Sequence, residues 1–223
     1  MRVFVQFILV LALFNFSVAC HNPAQANTQS TPKKAVKVLV LGDSLSAEYG
    51  LRRGTGWVNL LASSLGDTNN GRVTFVNASI SGETTAGGRQ RLSALLKDHQ
   101  PQIVLIELGG NDALRGLALS STEDNLRTLI QQSQQAKAEV ILIGTKIPPN
   151  YGKAYSESYF QLFSKLQKNL KIAVVPFLLA GFADQANYAD YFQTDGIHPN
   201  EAAQKQMADN VRPFLLKQLA KIK

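Results

Sequence analysis

From residue 35 onward, short runs of Val, Ile and Leu alternate with longer stretches whose apolar residues recur at helical spacing. The runs cover residues 36–41, 73–77, 103–108, 140–143 and 172–175. Each has strand length and is rich in Val, Ile and Leu, the pattern of a strand covered on both faces, as in a parallel sheet. Between them lie helical stripes: Trp57, Leu60, Leu61 and Leu65, then Leu92, Leu95 and Leu96, then Leu126, Leu129 and Ile130, then Phe160, Phe163, Leu166 and Leu170. Ser120-Ser121-Thr122-Glu123 has capping-box form and is expected to open the third of these. A last helix over about residues 200–221 points Ala203, Met207, Val211, Phe214 and Leu215 inward, with a kink expected at Pro213. Repeated strand-helix alternation predicts a three-layer α/β domain with right-handed crossovers. No internal repeat and no second polar linker interrupts it, so one domain spans residues 35–223.

What precedes the domain reads differently. Arg2 is followed by an apolar run from Val3 to Leu13 and then by small residues, the layout of a secretory signal peptide. Ala24-Gln25-Ala26 is an A-x-A cleavage site that defines residues 1–26 as leader. Ser17-Val18-Ala19-Cys20 resembles a lipobox, with cleavage after Ala19 and a lipid on Cys20, although Ser17 stands where Leu is usual. The expectation is export to the periplasm, with a lipid anchor through Cys20 as the alternative. Residues 27–34 are polar and read as a flexible linker. Ser30-Thr31-Pro32-Lys33 fits S-x-x-K but lies in that linker, where no scaffold positions it. Cys20 is the single cysteine, which excludes an intramolecular disulfide framework and a Cys-based zinc site. The net charge of +7 comes from scattered Lys and Arg with no aromatic interleaving. That argues against nucleic-acid binding and leaves weak attraction to a lipid surface open. A monomer is expected.

In parallel sheets chemistry collects at the carboxyl ends of the strands. Four segments sit there. Gly42-Asp43-Ser44 follows the first strand and places a serine on a sharp turn. Gly82, after the second, offers a backbone N–H that a ligand can approach closely. Asn111, in Gly109-Gly110-Asn111-Asp112 after the third, carries a neutral donor suited to a developing oxyanion. Asp195-Gly196-Ile197-His198 follows the last strand, and its turn lets the carboxylate hold the imidazole. Singly, these read as a turn serine, a loop glycine, an Asx-turn and a surface histidine. Together on one rim they supply a nucleophile (Ser44), a base (His198), an orienting acid (Asp195) and three oxyanion donors: the N–H groups of Ser44 and Gly82 and the Asn111 side chain.

These four blocks resemble those of the SGNH (GDSL) hydrolases, with Ser, Gly, Asn and His in order, and the resemblance covers the whole domain. GDSLSAEYG (42–50), ASISGETT (78–85), ELGGNDALRG (107–116), PPNYG (148–152) and DGIHPN (195–200) are most similar to the bacterial periplasmic multifunctional esterases of that family. Glu83 stands where relatives often have Asp. The resemblance implies a flavodoxin-like fold, a five-stranded parallel sheet of order 2-1-3-4-5 flanked by helices. It also implies hydrolysis of acyl esters and thioesters through an acyl-Ser44 intermediate, with no cofactor and no metal.

For the substrate, the apolar residues Leu114 and Leu117, beside the oxyanion donor, and Pro149, in the loop after the fourth strand, are expected to line an acyl groove. That favours medium or long acyl chains over the closest rival, a carbohydrate acetyl esterase, whose sugar would want a polar or aromatic platform. A non-catalytic lipid-binding relative of the fold is the remaining alternative, and the intact Ser44, Asn111, Asp195 and His198 argue against it.

Overall fold

The five apolar runs form five parallel strands, β1 (Val36–Gly42), β2 (Val73–Asn77), β3 (Ile103–Glu107), β4 (Glu139–Ile143) and β5 (Ala173–Val175). The computed structural model describes residues 35–68 and 72–222. The leader, the linker, Cys20 and the Ser30–Lys33 motif lie outside the described residues. Pairing sets the strand order β2-β1-β3-β4-β5, as the resemblance implied. Val38 lies opposite Phe75 on one side and Ile103 on the other.

Alternation along the strands feeds two cores. Val38, Val40, Ile103, Leu105, Ile141 and Ile143 face α1 (Trp57–Thr68) and α6 (Glu201–Leu219), meeting Leu61, Met207 and Val211. Leu39, Leu41, Val104, Ile106, Val140 and Leu142 face α2 (Thr85–His99), α4 (Leu119–Gln135) and α5 (Lys153–Leu170), meeting Leu92, Leu126 and Phe163. This is why β1, β3 and β4 read as nearly continuous apolar runs, while the edge strand β2 carries the exposed Thr74 and Asn77. Each fully buried side chain of this size contributes about 1.5–3 kcal/mol. A short α3 (Gly110–Leu114) follows β3 directly.

The helix starts and faces depart from expectation at several points. The Ser120–Glu123 capping box does not form: α4 begins at Leu119, behind Ala118, with no side-chain cap. Glu123 is drawn instead to Arg127 and Lys165, each at 2.8 Å. Leu60 and Phe160 are both exposed. On α5 Phe163 and Leu166 face inward as expected, joined by Tyr159 and Leu162, with Leu170 only partly buried. The final helix runs unbroken from Glu201 to Leu219 with Pro213 inside it. It is capped by Asn200, whose side chain accepts from the Ala202 N–H at 2.9 Å.

Candidate active site

The nucleophile turn is built at the end of β1. Gly42 has no room for a side chain, since a Cβ there would meet Ser46 at 2.8 Å and Ser79 at 2.9 Å. The Asp43 side chain then accepts from the Leu45 N–H at 3.0 Å, and the Ala47 N–H bonds the Asp43 carbonyl at 2.9 Å. These bonds curl the chain around Ser44, which lines a cleft at the end of the strand.

The loop after β5 brings His198 and Asp195, the other two members of the expected triad, up to Ser44. His198 Nε2 lies 2.9 Å from Ser44 Oγ, and His198 Nδ1 lies 2.7 Å from Asp195 Oδ2. The second Asp195 oxygen accepts from the Ile197 and His198 N–H groups, both at 2.9 Å. Gly196, at a positive φ of 66°, allows the tight return. Partial burial works against the Asp195 charge, but the hydrogen bonds from His198 and Ile197 outweigh it and hold the carboxyl at about 2. Asp195 is therefore ionised throughout the working range. It fixes the proton on Nδ1, which leaves Nε2 to accept from the serine.

Tyr49 packs against His198, a contact the sequence did not signal. Its ring lies 4.4 Å from the imidazole, centroid to centroid, tilted by 39°. Its carbonyl accepts from Gln193 Nε2 at 2.8 Å, which ties the β1 loop to the His198 loop.

The three expected oxyanion donors occupy different loops. The Ser44 and Gly82 N–H groups have no protein acceptor among the described residues. Gly82 takes a positive φ of 78°, and its carbonyl accepts from Arg115 at 3.0 Å. Its loop is pinned to the nucleophile strand by the Ile80 N–H, which donates to the Gly42 carbonyl at 3.0 Å. Asn111 opens α3, and its Nδ2 donates to Asp43 Oδ2 at 3.0 Å. That bond decides which way the amide faces, because a carboxylate accepts only from its nitrogen. One N–H is spent on Asp43, and the second has no acceptor among the described residues, as the expected oxyanion role requires. Asn111→Ala should lower kcat by about 10²–10³-fold, the usual worth of one oxyanion donor. Steady-state kinetics beside a melting curve would check it; a loss below about tenfold would make Asn111 a structural residue.

Beside the triad opens a cleft of about 680 Å³. Leu45, Leu114, Ile147, Phe177, Leu179 and Phe192 line it. Leu114 thus stands where the sequence put it. Leu117 does not: α3 ends at Leu114, Gly116 turns the chain at a positive φ of 66°, and Leu117 is exposed outside the lining. Pro149 begins a 3-10 turn (Pro149–Tyr151), and its side chain falls outside those described; its neighbour Pro148 lines the cleft. Phe177 and Leu179, from the segment after β5, were missed because that segment carries no period and no motif.

A parallel sheet with a Ser-His-Asp relay and neutral donors on its carboxyl edge is the architecture of a serine acyl hydrolase. The chain belongs to the GDSL-like Lipase/Acylhydrolase family, whose model matches residues 40–206. It is 45% identical to Esterase TesA of Pseudomonas aeruginosa over 81% of this chain and 88% of that protein. It is 42% identical to the Escherichia coli protein named Thioesterase 1/protease 1/lysophospholipase L1, over 77% of this chain and 79% of the other. Among solved structures, the psychrotrophic esterase EstA from Pseudoalteromonas sp., inhibited by monoethylphosphonate, superposes with a TM-score of 0.76 at 39% identity. That match covers 82% of this chain and 98% of EstA.

Proposed function

We propose that the protein is a serine esterase and thioesterase for acyl chains of medium or greater length. The observation that carries this reading is the unbroken Asp195–His198–Ser44 chain opening onto an apolar cleft. Ser44 Oγ attacks the acyl carbonyl while His198 Nε2 takes its proton. The carbonyl oxygen becomes an oxyanion held by the N–H groups of Ser44 and Gly82 and by Asn111. His198 then returns the proton to the departing alcohol or thiol, which leaves the acyl group on Ser44. Water enters, gives a proton to His198 and attacks the acyl carbon, and the acid departs as Ser44 recovers its proton.

The cleft lining bears on the substrate. Leu45, Leu114, Ile147 and Leu179 offer aliphatic surface to an acyl chain, beside the aromatic Phe177 and Phe192, with the polar Thr145, Lys146 and Asp184 also in the lining. Each buried CH₂ adds about 0.8 kcal/mol until the groove is filled. On a nitrophenyl ester series from acetate to palmitate, kcat/KM should therefore rise over the short chains and pass through a maximum above acetate. A maximum at acetate would overturn the substrate assignment and favour the acetyl esterase.

Loops on the active-site edge also expose apolar side chains: Tyr49, Ile80, Leu117, Tyr151, Tyr188 and Ile197. They support contact between the cleft mouth and amphipathic substrates presented in micelles or at a lipid surface. For the leader, the reading is export. The mass of the mature chain tests it: a start at Asn27 supports a free periplasmic enzyme, and a lipidated Cys20 supports a tethered one.

A further inference from the structure

Beneath the nucleophile lie two buried acids that the relay does not use. Asp43 is 3% exposed and Glu107, the last residue of β3, is 0% exposed. Glu107 Oε2 accepts from Ser46 Oγ at 2.8 Å and from the Asp43 N–H at 3.3 Å. It thereby grips the chain on both sides of Ser44. Asp43 accepts at both its oxygens, from the Leu45 N–H and from Asn111 Nδ2. Among the described residues, Glu107 Oε1 has no donor aimed at it.

This pattern distinguishes the two acids. Asp43 is used purely as an acceptor, as a carboxylate is. Glu107 has one free oxygen and a charged neighbour, the setting in which a carboxyl keeps its proton. Resting on the serine-hydrolase reading, we propose that Glu107 is a positioning residue that works as a neutral carboxylic acid. It clamps the Ser44 turn to β3 and donates its proton to Asp43, whose charge in turn orients the Asn111 donor.

The surrounding groups agree. Burial, with the adjoining Asp43 charge, pushes Glu107 well above the ordinary range. Burial likewise raises Asp43 to about 6, against hydrogen bonds from Leu45, Glu107 and Asn111 and the nearby His198. From α3 Asp112 is engaged by the Thr85 N–H and hydroxyl. From α5 Tyr159 is held neutral by burial and bonded to Thr145 at 2.6 Å. Neither supplies a cation that would let both acids ionise.

The test compares Glu107→Gln with Glu107→Leu. Gln keeps an acceptor for Ser46 and Asp43 and a donor in place of the acid proton; Leu keeps neither. Rates are taken per active site, counted by fluorophosphonate labelling. Glu107→Leu should lose about 10²-fold in kcat at little-changed KM, the scale of a misplaced nucleophile. Glu107→Gln should recover to within about fivefold of the native enzyme, with the acid limb of its pH profile unmoved. If Gln is as damaged as Leu, or shifts the acid limb, the inference fails. If the native enzyme takes no label, the underlying hydrolase reading fails instead.

A melting series gives an answer that needs no turnover. An acid that stays protonated on folding but ionises when unfolded makes native stability fall as pH rises above the ordinary carboxylate range. Gln cannot ionise. The melting temperature of Glu107→Gln relative to native should therefore climb between about pH 4.5 and 8. A difference independent of pH would overturn the assignment, even if Glu107→Leu failed to fold.

Discussion

Ser44→Ala should lower kcat on an aryl ester by about 10⁶-fold, because the acyl-enzyme route disappears with its acceptor. What remains is attack by water in a cleft that still holds the oxyanion donors, worth about 10³–10⁴ over the uncatalysed reaction. The protein itself should be unharmed. The Ser44 hydroxyl bonds His198 among the described residues and supports no core contact, while the turn is held by Asp43, Ser46 and Glu107. KM should change little, since the proposed acyl groove is lined by Leu114, Ile147, Phe177 and Leu179, which the substitution leaves in place. Kinetics, a melting curve and loss of fluorophosphonate labelling check the three parts together. Residual activity above about a thousandth of native would mean that another group takes the acyl chain.

The second large effect falls on Asp195. Asp195→Asn should cost about 10⁴-fold in kcat with the geometry intact. Asn can still accept from the Ile197 and His198 N–H groups, so the turn persists. Its NH₂ can face the ring only by reversing the tautomer, which puts the proton on Nε2 and leaves Ser44 without a base. The sign of the pH dependence follows from the depressed carboxyl. Because its folded value is about 2 against an ordinary 3.8, the stability it contributes is complete above 3.8 and is lost only as pH falls towards 2. Loss of rate between pH 7 and 5 therefore cannot come from Asp195, whereas proton uptake at Asp43, raised by burial to about 6, falls in that range. A pH profile of kcat/KM with an acid limb confined below pH 4 would contradict this.

The parts legible in the sequence share a physical cause. Strands buried on both faces must be apolar at every position, so β1, β3 and β4 announced themselves. Chemistry at the carboxyl ends of such strands lies close behind each run, so Ser44 and Asn111 could be placed by counting, whereas Asp195 and His198 stand far beyond β5 and were legible only from their own D-x-x-H spacing. What escaped was side-chain traffic between loops. Tyr49 reaches His198, and Arg115 reaches the Gly82 carbonyl, across distances that no period records. Leu117 was assigned to the cleft because it is apolar and near Asn111, but a glycine turn at 116 carries it away. Ser120–Glu123 had the letters of a capping box, and the Glu found two cations instead. Glu107 did leave a signal: an acid ending an otherwise apolar strand has nowhere to go but inward.

Every step of the proposed reaction passes through Ser44 as the acyl acceptor. Intact-protein mass spectrometry after reaction with a fluorophosphonate tests that claim most directly. The prediction is a single phosphonyl adduct per chain, mapped by peptide digestion to Ser44 and absent from Ser44→Ala. An unlabelled native protein, or an adduct on any other residue, would contradict it.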